Sequence, residues 1–194
     1  MAFMQSLRLD GLLSFAPGSA AIPLANLNVL IGPNGSGKSN LLEAIELLRA
    51  TPSAFANAVR DGGGAHEWVW KGSGKSGNAT METLLGASPP IPALRYRLSF
   101  GASGQRTKVV DEVIEKVEKS DSTAKDVFFY YRYQGGYPAI NVRETSGGHT
   151  ERRLERHSLV SDESVLSQRK DPDLYPELTW VGQQFGRIQS FREW

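Results

Sequence analysis

Residues 32–39 read Gly-Pro-Asn-Gly-Ser-Gly-Lys-Ser, which fits the pattern G-x-x-x-x-G-K-S/T without a mismatch. The pattern constrains the fold because it must be delivered by a strand and received by a helix. Leu27, Val29, Leu30 and Ile31 predict a short buried strand before it. Leu41, Leu42, Ala44, Ile45, Leu47 and Leu48 predict an amphipathic helix from Lys38 to about Ala50, stopped by Thr51-Pro52. A loop that wraps a polyphosphate turns its N–H groups inward. Gly35 and Gly37 permit the backbone angles and close approach that a Cβ would block. The helix start aims its positive end at the same anion. Lys38 supplies a charge that reaches β- and γ-phosphates, and the Ser39 hydroxyl suits Mg²⁺.

Composition narrows the rest. The chain has 194 residues, a net charge of +1 and no cysteine. That length suits one domain with a proper core. The small net charge predicts no global field for polyanions. Without cysteine there are no disulfides, thiolate metal sites or cysteine nucleophiles. Met1 to Pro17 lacks the layout of a signal peptide, and no apolar run approaches the ~20 residues of a membrane span. A soluble, cytoplasmic protein with no membrane partner is expected.

Along the chain, strands are expected at Gln5–Leu13 and Ala21–Leu24, and a short helix at Ala54–Arg60. His66–Lys71 reads as a strand with Trp68 and Trp70 on one face, packing rather than stacking on a base. His66 beside Glu67 lacks the further ligands a metal site needs. Gly72-Ser73-Gly74-Lys75-Ser76 imitates a second phosphate loop, but Val69 stands where glycine is required, so a loop is expected. Strand patterns follow at Met81–Leu85, Leu94–Phe100, Thr107–Glu118, Val127–Tyr133 and Ala139–Arg143, with another after Ser146-Gly147-Gly148. This middle third predicts an antiparallel β-meander. Tyr175–Phe185 predicts a helix, and Arg187–Trp194 a strand.

Two stretches have competing readings. Val109-Val110-Asp111-Glu112 resembles the end of a Walker B strand, but Thr107 and Lys108 interrupt the apolar run that a central parallel strand demands. Thr145-Ser146-Gly147-Gly148 resembles a signature turn that grips a γ-phosphate across a dimer, but Gly-Gly pairs mark β-turns first.

Gly32-Pro33-Asn34-Gly35-Ser36-Gly37-Lys38-Ser39-Asn40-Leu41-Leu42-Glu43-Ala44-Ile45 resembles the ATP-binding loop and first helix of the RecF/SMC/OLD-type ATPases, a branch of the ABC superfamily. Stretches 62–68, 130–136 and 164–168 resemble predicted bacterial ATPases of that branch. The resemblance implies an α/β P-loop head, in its N-terminal portion, with an antiparallel β-rich subdomain. It divides the chain into a strand, phosphate-loop and helix core (1–60), a β-rich meander (61–160) and a Q-loop segment (161–194). It implies that Gly32, Pro33, Asn34, Gly35, Ser36, Gly37, Lys38, Ser39 and Asn40 hold ATP. Ser39 and Gln168 would then meet Mg²⁺, with Lys38 and Gln168 as catalytic groups. Many relatives carry an arginine in the first turn that helps to hold the base. Leu13-Ser14-Phe15 stands there instead. The branch's signature turn, Walker B acids and switch histidine would follow the Q-loop, so a fragment of a head, poorly active alone, is expected.

Three functions compete. The first is an ATPase head that dimerises around ATP and acts on DNA, or with a nuclease or other effector partner, in DNA maintenance or phage defence. Arg95, Arg97, Arg106, Lys108 and Arg132 would meet phosphates, or else be balanced by acids on solvated strands. The second is a nucleotide-gated interaction module with little turnover. The third is a small-molecule P-loop kinase.

Overall fold

The computed structural model describes residues 2–72, 77–118, 127–146, 148–155 and 158–191. Eight strands form one sheet in the order β2-β1-β3-β4-β5-β6-β7-β8, every neighbour antiparallel. The strands are β1 (Met4–Asp10), β2 (Ile22–Pro23), β3 (Ala79–Leu85), β4 (Leu94–Ser103), β5 (Arg106–Lys116), β6 (Phe129–Gln134), β7 (Tyr137–Arg143) and β8 (His149–Arg153). The helices are α1 (Lys38–Ala50), α2 (Phe55–Asp61), α3 (Ala65–Trp68), α4 (Val165–Gln168) and α5 (Pro176–Gly186).

Period-2 alternation sets the sheet's faces. Met81, Thr83 and Leu85 of β3 and Leu94, Tyr96, Leu98 and Phe100 of β4 are buried against the helices. Each fully buried apolar side chain of this size contributes about 1.5–3 kcal/mol. Phe55 of α2 meets Phe100 edge-on at 5.2 Å, and Phe185 of α5 meets Tyr96 at the same distance. At Gly182, α5 packs against Pro52 in the turn after α1, where even a Cβ would find ordinary contact at 3.4 Å. The opposite face of β1, β3, β4 and β5 carries Arg8, Glu82, Arg97, Ser99 and Asp111 around a polar groove of about 290 Å³.

The α/β composition and the antiparallel meander agree with expectation, and β8 follows the Ser146–Gly148 turn. Glu144 N–H donates to the Gly148 carbonyl at 2.9 Å, closing the β7–β8 hairpin where a signature turn was weighed. Gly147 of that comparison, and residues 73–76 of the false phosphate loop, lie outside the described residues.

Three local expectations are corrected. Leu27–Ile31 is not a strand: it runs beside the sheet without a ladder, and Leu27, Val29 and Ile31 are 82%, 73% and 90% exposed. A strand needs a partner, and no described strand pairs with this segment. His66–Lys71 is not a strand either. Gly64 opens the short helix α3, so Trp68 is buried with its indole N–H donating to the Val59 carbonyl at 3.1 Å. Among the described part of 187–194, residues 187–191 form no strand.

Candidate functional site

The segment 32–40 forms a turn that enters α1. Gly35 and Gly37 have φ of 80° and 90°, the left-handed region that Pro, Ser or Lys would strain to adopt. No heavy atom lies within 4 Å of the place a Gly35 Cβ would take. α1 opens on Gly37 with no side-chain cap and no acid in its first turn. Its N-terminal N–H groups and positive dipole end therefore offer themselves to an anion.

Lys38 turns back over the loop. Its Nζ donates to the carbonyls of Gly32 and Pro33, each at 2.7 Å, and lies 3.2 Å from Ser36 Oγ. The ammonium thus sits inside the turn, within reach of a group cradled there. Ser39 is exposed at the first turn of α1, and Asn40 is half-buried behind it. Pro33, Asn34 and Ser36 are exposed along the loop's rim. The Leu13–Phe15 turn lies against the loop's end. A Cβ on Gly37 would stand 2.9 Å from Ser14 Oγ and 3.8 Å from the Phe15 ring. Where relatives of the ABC branch were expected to place an arginine, this chain places a serine hydroxyl and an aromatic ring.

The side-chain amide of Gln168 is committed within its own segment. Its Oε1 accepts from Val160 N–H at 2.6 Å, and its Nε2 donates to the carbonyls of Val160 and Glu163, each at 3.1 Å.

Glu112 and Glu163 carry structure that the sequence did not reveal. Glu112, 1% exposed, accepts from Tyr96 OH at 2.9 Å, from Ser164 Oγ at 2.5 Å and from Val165 N–H at 2.8 Å. Burial pushes its carboxyl up to about 7, against these donors, which favour the anion. Asp111 faces the other way and pairs with Arg97 at 3.2 Å. β5 is antiparallel to both neighbours, so Val109–Glu112 is no central parallel strand. Glu163 caps α2, and its burial raises its carboxyl as well. No spacing in the sequence links these partners, because each pair lies on different elements.

Of the five basic residues of the meander, Arg106 and Lys108 are exposed at the start of β5 and the other three are engaged. Arg95 pairs with Glu115 and Glu82, Arg97 with Asp111, and the Arg132 guanidinium lies 4.4 Å over the Phe129 ring. Among the described residues no group of three or more His, Asp or Glu could hold a metal ion, and no helix is long and apolar enough to cross a membrane.

Against this geometry, a protein-family model described as "AAA domain, putative AbiEii toxin, Type IV TA system" matches residues 27–190. The match takes in the glycine-rich turn at 32–39, all five helices and β3–β8. The chain belongs to this AAA-domain family. No curated protein matches it. The AAA domain is thereby linked, through its family, to type IV toxin–antitoxin systems. That level is coarser than the RecF/SMC/OLD-type branch.

Proposed function

We propose that this AAA domain binds ATP with Mg²⁺ at Gly32–Asn40. The observation that carries the reading is the loop itself: two left-handed glycines, an uncapped helix start and an inward lysine ammonium converge on one turn. Lys38 and the loop amides would hold the β- and γ-phosphates, Ser39 would hold the metal, and Gln168 would join them after leaving its present partners. The metal, when bound, neutralises phosphate charge. Phe15 and Ser14 stand at the loop's end, where the nucleoside would extend.

The activity assigned to this segment is binding that changes partner contacts, with little turnover of its own. Hydrolysis needs an acid positioned for the attacking water. Among the acids weighed for that role, Asp111 is paired with Arg97, and Glu112 has its hydrogen bonds filled within the core. In the RecF/SMC/OLD-like form of the reading, ATP would also drive dimerisation. Family membership supports a setting in toxin–antitoxin or phage defence, and the paired arginines on the meander give direct DNA contact little support.

Calorimetric titration with ATP and Mg²⁺ tests the binding, with Lys38→Ala as control. Saturable binding lost in the variant is expected. Equal heats from both proteins would end the proposal. Light scattering with and without ATP separates the dimerising form from the monomeric one.

A further inference from the structure

A groove of about 780 Å³ opens where the end of α1 meets α2 and α5, a volume within the range of ligand sites. α2 and its N-cap turn Ala54, Asn57, Ala58 and Asp61 into it. α5 turns Thr179, Gly182, Gln183 and Gly186 into it. Both sets have the spacing i, i+3, i+4, i+7, so each is one unbroken helix face. Pro52 and Leu166, both buried, lie at the base. The alanines and glycines keep the walls low, so the backbone of another chain can come close.

The polar groups along the groove select its occupant. Arg49, in the last turn of α1, and Lys170, just after α4, stand at its edge, and neither forms an ion pair among the described residues. Asp61 is answered by Arg60 at 3.7 Å. The uncommitted charge is therefore positive. Asn57 and Gln183, exposed on α2 and α5, each carry a donor and an acceptor on one side chain, the same pair that a peptide unit offers. Thr179 Oγ1 is buried without a hydrogen-bond partner among the described residues, which leaves an unmet polar group at the wall. No aromatic ring lines the groove, so a nucleobase finds no face to stack on. A helical ligand would arrive with its N–H and C=O groups already paired, and the two amides would go unanswered. An extended chain keeps those groups free. The seven residues of α2 make a wall of about 10 Å, which about three residues of extended chain span.

We propose that this groove binds an extended, acidic peptide segment of a partner protein. Carboxylates of the segment meet Arg49 and Lys170, its main-chain amides pair with Asn57 and Gln183, and its small apolar side chains rest on Pro52 and Leu166. The site lies at the C-terminal end of α1, about 20 Å along that helix from the glycine turn. It does not depend on the nucleotide-binding reading.

An array of hexapeptides tests it, each position varied among Ala, Leu, Asp, Glu, Gln and Lys. The labelled protein is bound to the array, and the strongest sequences are titrated in solution by fluorescence polarisation. Enrichment of Asp and Glu, with saturable binding, is expected. The double variant Arg49→Glu, Lys170→Glu should weaken that binding by at least about tenfold, as losing hydrogen bonds to charged groups does. Gly186→Leu should abolish it by filling the groove. Gln183→Ala changes an exposed residue and leaves the fold intact, and it should weaken binding about three- to tenfold. It keeps the proposal testable if the leucine variant fails to fold. An array with no sequence above background overturns the proposal, as does a preference for Lys in wild type. Equal binding by wild type, the charge-reversed protein and Gln183→Ala overturns it too. Displacement of the peptide by an equal concentration of inorganic phosphate, or of an oligonucleotide of the same charge, would reveal a general anion surface and end the peptide reading.

Discussion

The Glu163 carboxylate accepts the backbone N–H of Phe55 at 3.0 Å, across 108 residues of chain. The neighbouring N–H of Ala56 reaches the other oxygen at 3.2 Å. α2 follows Ala54, which has no side chain able to cap it. The cap therefore comes from the segment bearing Gln168. Glu163→Ala is expected to lower stability by about 1 kcal/mol, the usual cost of losing a cap. Urea unfolding measures it, and an unchanged midpoint would show that the contact contributes nothing.

Lys38→Ala removes an ammonium that, among the described residues, hydrogen-bonds to its own loop. Thermal stability should stay within about 0.5 kcal/mol, as for surface changes generally. ATP affinity should fall about 10- to 100-fold, the equivalent of losing hydrogen bonds to a charged group. A loss of folding instead would assign Lys38 a structural role.

Burial raises the Glu112 carboxyl from the ordinary 4.5 to about 7. Between those values the folded chain keeps this proton while the unfolded chain has released it. Stability from this group is therefore greatest below about pH 4.5, falls as pH rises, and levels off above about 7. Glu112→Gln removes that slope. Its stability relative to wild type should rise by about 3 kcal/mol between pH 4.5 and 8. Denaturant unfolding at the two pH values checks this, and an equal difference at both would refute the raised titration.

Leu27 and Ile31 expose most of their surface, beside an apolar cleft of about 400 Å³ lined by Phe3, Leu24, Leu30, Leu42 and Ile45. Exposed apolar chain without strand partners favours self-association. Replacing both residues with threonine should leave unfolding free energy within about 0.5 kcal/mol. Sedimentation velocity should show less association. A much larger loss of stability would mean that the pair packs within the fold.

The glycine turn at 32–37 and the helix that follows it were legible because their signals are local: glycines, a lysine and a helix start follow one another in sequence. The meander was legible because alternation along β3 and β4 fixes which residues face the helices. The stretch Leu27–Ile31 was misread because an apolar, β-prone pattern records a preference for pairing and not the presence of a partner. His66–Lys71 misled through spacing: Trp68 and Trp70 alternate, but Gly62–Gly64 turns the chain into α3, and a Cβ at Gly62 would collide with the Trp68 indole at 2.6 Å. The Glu112 network was invisible because its members lie on β4, β5 and the start of α4. Only the sheet register, with Tyr96 opposite Ile114 and Leu98 opposite Glu112, brings them together.

The sheet order also dictates a timetable. From β3 onward each strand pairs with the next one made, so those hairpins close short loops as they emerge. β1 is different: Leu9 lies opposite Met81, and the whole excursion through α1, α2 and α3 is synthesised between them. At ribosomal rates of about 5–20 residues per second, β1 waits several seconds for β3, with only the two-residue β2 to pair with before then. During that interval Leu7 and Leu9 are available to any chaperone near the exit tunnel, and α1 with its glycine turn exists before the sheet that will hold it.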